Sequence, residues 1–351
     1  MGQILGLGTS HQPTIAARQL QPFSFKRTLA DPGLPERLRD PANWPSKLRN
    51  EWSDDEGLAA GVAHREALIE QFRIVRAALD DFNPDLVLIW GDDQYERIRE
   101  DNVPPFILLA QDQFVLQPWQ EFRTPNVWDE PTDAEFVVPG KFKAAKSLVE
   151  GLLDRHFDMS YSYSSDRGMG HSIANTVVYL DWDRRGWPYP ILPCLVNCYG
   201  RLLIGSHGYR LPLDSELGPE DLDPPSPTPA RCFELGAAIA RVLAESDLRV
   251  ALVASSSWSH AFLTRKNWYL YPDFEADQTM FEALDRGDFG TWRSVDRKSI
   301  EESGLQEMLN WFCLAGAIDA LGLEKKHLAY VGTHLFNSGK AFAVYETPAG
   351  Q

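Results

Sequence analysis

The stretch "DLVLIW", residues 85–90, is a run of apolar side chains in which no polar residue alternates after the first position. A strand that is buried on both faces has this pattern, whereas a half-exposed strand alternates apolar and polar residues. Such strands are typical of parallel sheets that helices cover on both sides. The stretch therefore predicts a strand at the centre of an α/β protein.

Four more runs of the same kind are spread over the chain: "QILGLG" (3–8), "PILPCLV" (190–196), "RVALVAS" (249–255) and "AFAVYE" (341–346). Between them, apolar residues recur on one helical face over 61–81, 231–245 and 304–321. Ser303, three residues before Gln306, predicts a capping box at the start of the last helix. Strands that alternate with helices predict an α/β fold with a mixed or parallel central sheet flanked by helices.

Two segments interrupt this alternation. Residues 18–57 hold five prolines and many charges, which predicts a long surface insertion or lid. Residues 211–230 form a proline-rich acidic stretch, which is either a surface loop or a linker between two domains. Because the elements on both sides of it resemble parts of one sheet, we expect a single domain over residues 1–351.

The composition indicates which kinds of partner and which cellular location to expect for the protein. The net charge of −16, from 50 acidic and 34 basic side chains, repels phosphate backbones and argues against nucleic acid as a partner. No apolar run reaches about 18 residues, and the first residues lack the pattern of a signal peptide, so we expect no membrane partner and a cytoplasmic location. The four cysteines lack a zinc or redox spacing, which predicts buried, reduced thiols.

Polar side chains follow several predicted strands, where ligands gather in open α/β sheets. His11 follows the first strand, Asp92 follows "DLVLIW", and His260 follows "RVALVAS". His334 comes after another short apolar run. Histidines and acidic residues at strand ends predict a catalytic or metal-binding site.

Glu307 lies in line with the apolar residues Trp311, Leu314 and Ile318 of the last predicted helix. A buried carboxylate is costly unless a cation or a metal ion pairs with it. The alternative is that Glu307 lies at the edge of the stripe and reaches solvent from the first helical turn, where acidic residues are favoured. Periodicity alone leaves both alternatives open.

Six segments carry a resemblance to a known family: "GTSHQP" (8–13), "PDLVLIWGDDQ" (84–94), "GMGHSIANT" (168–176), "PPSPTPARCFELG" (224–236), "SSSWSHAF" (255–262) and "GLQEMLNW" (304–311). In these segments and in their order the chain resembles the LigB-like extradiol dioxygenases. This is the class III ring-cleavage family that includes the catalytic subunit of protocatechuate 4,5-dioxygenase. The resemblance covers most of the chain except residues 18–57.

The resemblance implies roles for four residues. In that family two histidines and one glutamate hold a mononuclear Fe(II) ion and leave positions open for substrate and dioxygen. His11 and Glu307 match two of these ligands. His260 matches the acid–base histidine that takes a proton from a substrate hydroxyl. His171 matches a second histidine, which contacts the substrate or the developing oxyanion.

Gln94 is a departure from the family pattern, because it stands where the family has its second histidine ligand. Three alternatives follow. Gln94 or Asp93 is the ligand, which gives an oxygen-rich site that could suit another divalent metal. A histidine from elsewhere replaces it, and His64 is the nearest in sequence. In the third alternative the metal is lost and the scaffold has another function.

The resemblance implies a cytoplasmic, non-haem Fe(II) dioxygenase that cleaves a catechol-like or aminophenol-like ring with O2. Trp258 and Phe262 are among the aromatic residues expected to contact a flat substrate. One alternative is a metal-assisted or metal-free hydrolase or lyase with His260 as general base. Another is a non-catalytic subunit of a two-component dioxygenase. The implied partners are a small aromatic substrate, O2, and either copies of the same chain or a small partner subunit.

Overall fold

A computed structural model describes residues 2–120, 125–164, 167–215 and 218–348. In this part of the chain the strands are β1 (Gln3–Thr9), β2 (Leu86–Asp92), β3 (Phe106–Leu109), β4 (Gln113–Leu116), β5 (Phe136–Pro139), β6 (Ser160–Ser162), β7 (Ile191–Val196), β8 (Arg249–Ser255), β9 (Glu324–Val331) and β10 (Lys340–Glu346). The helices are α1 (Phe23–Leu29), α2 (Ser46–Trp52), α3 (Leu58–Phe82), α4 (Phe142–Leu153), α5 (His171–Leu180), α6 (Pro229–Ala244), α7 (Phe274–Asp285), α8 (Phe289–Ser294), α9 (Arg297–Ser303) and α10 (Leu309–Leu321).

One mixed sheet of eight strands has the order β6-β3-β7-β2-β8-β1-β10-β9. Its central strands β7, β2, β8 and β1 are parallel, and β10 and β9 continue the sheet in antiparallel pairing. The strand predicted from "DLVLIW" is β2, which lies inside the sheet and is buried at every residue. The α/β prediction with a mixed, mostly parallel sheet is confirmed.

Helices cover both faces of this sheet. Along β2, Leu86, Leu88 and Trp90 belong to the apolar core that includes residues of α6 and α10. Val87 and Ile89 belong to the core that includes residues of α3 and α5. Successive side chains of a strand point to opposite faces, so the alternation assigns the two helix layers to opposite sides.

Strands from both sides of the predicted loop at 211–230 interleave, because β8 lies between β2 and β1. The chain therefore forms a single α/β domain, and the segment is no linker between two sheets. It contains a short 3₁₀ turn at Pro219–Asp221, and α6 begins at Pro229 with the Thr228 hydroxyl as its cap. Residues 216–217 of this segment lie outside the described residues.

The predicted insertion at 18–57 contains α1 and α2 and forms its own apolar cluster on the loops beside the sheet. Phe25 and Trp44 of the insertion share this cluster with Leu335 and Phe336. The carboxylate of Glu51 accepts hydrogen bonds from the backbone of the loop that carries Leu335. The insertion is thus fixed to the loop before β10, and its role as a lid stays a prediction.

Helices α6 and α10 pack backbone to backbone at two glycines. A Cβ atom at Gly236 would overlap the carbonyl oxygen of Cys313, and one at Gly316 would overlap the carbonyl oxygen of Phe233. Both obstacles are main-chain atoms of a neighbouring helix, so they cannot rotate away. Because α10 begins two residues after Glu307, this crossing restrains the position of the turn that carries Glu307.

We expect Gly316→Ala to lower the free energy of unfolding by about 2 kcal/mol or more, since overpacking a core costs about 1–3 kcal/mol. Urea denaturation measures the change. Gly290→Ala is the control, because Gly290 lies exposed in α8 and meets only the side chain of Asp288, while alanine is the better helix former. Equal stability of the Gly316→Ala and wild-type proteins would contradict the close crossing.

Two expectations about the C-terminal third are wrong. Ser303 does not cap the last helix, because it ends α9, and Gly304 then adopts a left-handed conformation with φ of 70°. Glu307 lies in a separate 3₁₀ turn, Gln306–Met308, ahead of α10. Strand β9, whose first residues are exposed and charged, was not predicted, and His327 lies on it.

Two expectations from composition can be compared with the described residues. None of their helices is long and apolar enough to cross a membrane. The four cysteines, Cys194, Cys198, Cys232 and Cys313, are buried and free, as predicted.

Candidate metal and acid–base site

The parallel strands bring distant polar residues to one edge of the sheet. β1 leads into His11, β2 ends at Asp92, and β8 leads into His260. In the sheet register the last residues of β1 and β8, Thr9 and Ser255, lie side by side. Carboxyl ends of parallel strands share an edge, so these side chains meet although they are far apart in sequence.

A buried cluster forms where these strand ends meet Glu307. Nε2 of His11 lies 3.3 Å from Oδ1 of Asp92 and 3.6 Å from Oε2 of Glu307. Nε2 of His260 lies 3.2 Å from the other oxygen of Glu307, Oε1. All four side chains are buried. Of the two alternatives for Glu307 that the sequence left open, the structure selects the buried one.

The orientation of the His11 ring is fixed through Nδ1, the ring nitrogen that does not face the carboxylates. Its Nδ1 lies 3.1 Å from the carbonyl oxygen of Ser255. A carbonyl oxygen only accepts hydrogen bonds, so Nδ1 carries the hydrogen and Nε2 presents its lone pair to Asp92 and Glu307. The side chain of Asn175 also donates to the backbone carbonyl of His11. Burial lowers the pKa of His11 well below its usual value, and His171 and His260 lower it further, which keeps the ring neutral.

A lone pair that faces two carboxylates is repulsive unless a cation lies between them. Both oxygens of Asp92 and Oε2 of Glu307 lack a hydrogen-bond partner among the described residues. Burial raises the pKa of Asp92 well above its usual value, and the nearby Glu307 raises it further. Imidazole nitrogen and carboxylate oxygen are ligands that divalent metals accept. The donor set therefore fits a divalent cation.

His171 offers a second possible imidazole ligand to this set. One ligand atom each from His11, Asp92 and His171 lies within 4.8 Å of the others. Two ligand sets are therefore available: His11 and Asp92 belong to both, and the third member is Glu307 or His171.

Glu96 controls the charge of His171. Its Oε1 accepts the backbone N–H of His171 at 2.7 Å and lies 2.8 Å from the ring Nδ1. Burial lowers the pKa of His171, but the carboxylates of Glu96, Asp92 and Glu307 outweigh burial and raise the pKa to about 10. In the ion-free protein His171 is therefore a cation at neutral pH, and it contacts His11 edge to face, with ring centroids 5.1 Å apart.

The surroundings of His260 lower its pKa, whereas those of His171 raise the pKa of that residue. Its Nδ1 lies 2.8 Å from the carbonyl oxygen of Trp258, which places the hydrogen on Nδ1 and leaves Nε2 as a proton acceptor. Burial lowers the pKa of His260, and Glu307 only partly opposes this effect. The backbone is held at both sides, because His260 N–H donates to Gly304 and Ala261 N–H donates to Asn337.

Comparisons with known proteins find a family match over the part of the chain that carries two of these residues. Residues 222–343, which include His260 and Glu307, match the family model described as the catalytic LigB subunit of aromatic ring-opening dioxygenase. Over these residues the chain is similar to the LigB family. This confirms the resemblance found in the sequence.

The chain is similar to several curated proteins over part of their length. It is 26% identical over 197 residues to "2,3-dihydroxyphenylpropionate/2,3-dihydroxicinnamic acid 1,2-dioxygenase 2" of Pseudomonas putida, a match that covers 56% of this chain and 49% of that protein. It is 23% identical over 195 residues to a gallate dioxygenase of Pseudomonas putida, with 55% of this chain and 50% of that protein covered. The match thus spans about half the length of these relatives.

The predicted residues His11, His171, His260 and Glu307 lie together. The amide nitrogen of Gln94 points to a different partner. Nε2 of Gln94 instead donates to the carbonyl oxygen of Gly208 at 2.9 Å. The side chain that reaches His11 from the end of β2 is Asp92.

The other two candidates for the replaced ligand are engaged elsewhere. The carboxylate of Asp93 accepts the backbone N–H groups of Glu96, Arg97 and Ile98. His64 lies in α3 and stacks on Phe336, with ring centroids 5.5 Å apart.

The two predicted substrate contacts have different surroundings. Trp258 has no exposed surface and packs edge to face on Trp311 and Trp292, so it belongs to the core beneath the site. Phe262 is partly buried, with its ring 5.5 Å from that of His260. It lines a cavity of about 640 Å³ together with apolar, basic and acidic side chains, Arg265 and Glu301 among them.

Sequence reasoning missed three residues of this site. Asp92 was noted at a strand end but was not proposed as a ligand. Glu96 and Tyr199 were not singled out, although the Tyr199 hydroxyl donates to Oε1 of Glu307 at 2.6 Å. Tyr199 follows the end of β7, so its place after a central strand was the available signal.

Proposed function

We propose that this protein is a non-haem Fe(II)-dependent extradiol dioxygenase, which cleaves a catechol-like or aminophenol-like ring with O2. One observation carries the proposal: the neutral Nε2 of His11 faces two buried carboxylates, and three of their four oxygens lack hydrogen-bond partners among the described residues. In a chain similar to the LigB family this arrangement favours a bound divalent ion over an empty polar cavity.

The proposed ligands are His11, Asp92 and Glu307. We favour Glu307 over His171 as the third ligand, because Glu307 presents an unpartnered oxygen whereas His171 is held as a cation by Glu96. When bound, Fe(II) would supply the common site at which a substrate hydroxyl and O2 meet and exchange electrons. A metal with three protein ligands keeps positions open for both reactants.

His260 and His171 have different proposed roles in proton transfer and hydrogen bonding. His260 has an accepting Nε2 and lowered pKa, so it takes the proton from a substrate hydroxyl. His171 carries a proton and raised pKa, so it donates a hydrogen bond to oxygen that becomes negative during ring cleavage. Environments that push two pKa values apart are typical of an acid–base pair.

The substrate side of the proposal rests on Phe262. Phe262 lines the cavity of about 640 Å³, and its ring lies 5.5 Å from that of His260. In the proposal an aromatic substrate stacks on Phe262 and its hydroxyl reaches His260. We include in the proposal a cytoplasmic location and assembly with further copies of the chain or a small partner subunit. The insertion at 18–57 would then act as a lid over the site.

Oxygen consumption tests the proposed activity. Protein purified without air and loaded with Fe(II) is expected to hold about one iron ion per chain and to consume O2 with catechols or 2-aminophenols, in proportion to ring opening. Elemental analysis and an oxygen electrode measure both quantities. Glu307→Gln is expected to lose iron and turnover together. A protein that binds iron but consumes no O2 with any of these aromatics would contradict the proposed reaction.

One observation favours a second candidate. The proposed ligand set contains the carboxylate of Asp92 in place of a second imidazole, and oxygen-rich sites suit redox-inert ions as well as iron. A metal-assisted hydrolase or lyase would use the same His260 as general base and would need no O2. Turnover of a ring-fission product or a diketone under nitrogen would support this candidate over the dioxygenase.

A further inference from the structure

The two oxygens of the Glu307 carboxylate have unequal surroundings. Oε1 accepts the hydroxyl hydrogen of Tyr199 at 2.6 Å and lies 3.2 Å from Nε2 of His260. Oε2 has no hydrogen-bond partner among the described residues and lies 3.6 Å from Nε2 of His11. One oxygen is therefore occupied by the protein, and the other is presented toward His11.

The position of Tyr199 is built into the turn after β7. Gly200 has a φ of 44°, and a Cβ there would overlap the backbone of Ser226, so the turn requires glycine. The side chain of Asn197 accepts the Gly200 N–H at 2.9 Å and closes the turn. On the other side, the backbone of Gly208 packs against the Tyr199 ring. The phenol is consequently buried and has little freedom to leave Glu307.

We infer that Tyr199 is a positioning residue that makes Glu307 a one-oxygen metal ligand, by occupying Oε1 and leaving Oε2 for the ion. The inference rests on the metal site of the proposed function. A hydrogen bond to a ligating carboxylate fixes its orientation, and loss of such a partner typically weakens metal affinity about 10–100-fold.

The oxygen that Tyr199 contacts also faces His260. Oε1 of Glu307 accepts the Tyr199 hydroxyl and lies 3.2 Å from Nε2 of His260. Without the phenol, the Glu307 carboxylate would lose the hydrogen bond that fixes which of its oxygens faces His11.

Tyr199→Phe tests the inference, because it removes the hydroxyl and keeps the ring. Co(II) alone is titrated into chelator-treated protein without air, and its visible absorption reports both affinity and ligand geometry. We expect the dissociation constant of Tyr199→Phe to be about 10–100-fold higher than that of wild type, with an altered spectrum.

Tyr189→Phe is the matched control. Its hydroxyl also donates to a carboxylate, the partly buried Oδ1 of Asp80, at 2.7 Å, but it lies before β7 at the opposite edge of the sheet. Its Co(II) affinity and spectrum are expected to equal those of wild type. Urea denaturation of each variant shows whether the chain is folded under the titration conditions.

Three results would overturn the inference, and they are distinguishable. If wild type binds no Co(II), the metal site of the proposed function fails and the inference fails with it. If wild type binds Co(II) and Glu307→Gln binds equally well, Glu307 is no ligand and the set with His171 is favoured. If Glu307→Gln is weakened but Tyr199→Phe is unchanged in affinity and spectrum, the metal site stands and the role of Tyr199 is rejected.

Discussion

Asp92→Asn is expected to weaken metal binding by about 100-fold or more and to raise the stability of the metal-free protein at neutral pH. The two effects have one cause, because the carboxylate is fully buried and both its oxygens lack hydrogen-bond partners among the described residues. Without a cation this negative charge is a cost to folding. Asparagine keeps the shape and removes the charge, which we expect to add at least about 1 kcal/mol to the free energy of unfolding.

The shifted pKa of Asp92 determines how its contribution to stability changes with pH. Burial, with Glu307 next, raises the pKa of Asp92 in the folded protein well above its unfolded value. The folded state therefore binds the proton more tightly than the unfolded state does. The contribution of Asp92 destabilises the metal-free protein above its folded pKa, and this cost is relieved as the pH falls through that pKa toward the unfolded value. Asp92→Asn removes this part of the pH dependence.

Asp93→Asn is the matched comparison, because it removes one negative charge from the adjacent position. The carboxylate of Asp93 accepts three backbone N–H groups of the turn after β2, from Glu96, Arg97 and Ile98. Its loss is expected to lower the free energy of unfolding by about 1 kcal/mol. Urea denaturation of chelator-treated proteins between about pH 5 and pH 8 measures both variants. Destabilisation by Asp92→Asn equal to that by Asp93→Asn would show that Asp92 is satisfied by the protein rather than by an ion.

Asp92 and Asp93 also show how much of the site can be predicted from the sequence. The central strands were predictable because burial on both faces leaves only apolar residues, as in β2 and β8. The apolar run of β2 ends at Trp90, but the strand continues through Gly91 to Asp92. Consecutive strand residues point to opposite faces, so a difference of one residue decides which aspartate reaches His11.

Other features depend on contacts that no local pattern encodes. Strand β9 begins with three exposed charged residues and pairs along one edge only, so it lacks the apolar signature of the central strands. The link between Glu307 and Tyr199 joins elements that are 108 residues apart. Such a contact depends on the order of the strands in the sheet, which cannot be predicted from the spacing of residues along the chain.

His260→Gln is expected to lower kcat by about 100-fold to 10,000-fold while leaving the bound metal in place. The metal is expected to stay bound because His260 does not face the proposed metal-binding oxygen of Glu307. His260 lies beside Oε1, the oxygen that Tyr199 also contacts, whereas the unpartnered Oε2 faces His11. Glutamine keeps a polar side chain at this position but cannot accept the proton of a substrate hydroxyl near neutral pH.

Steady-state oxygen uptake and elemental analysis of the same preparations separate this role of His260 from that of a ligand. His327→Gln is the control, because His327 lies on the edge strand β9 and bonds to Gln71 instead of the cluster. It is expected to match wild type in both measurements. Loss of metal from His260→Gln would make His260 a ligand, and full turnover would exclude it as the base. A low kcat with full metal occupancy is the result that proton transfer by His260 requires, because the reactants would still be brought together while the hydroxyl kept its proton.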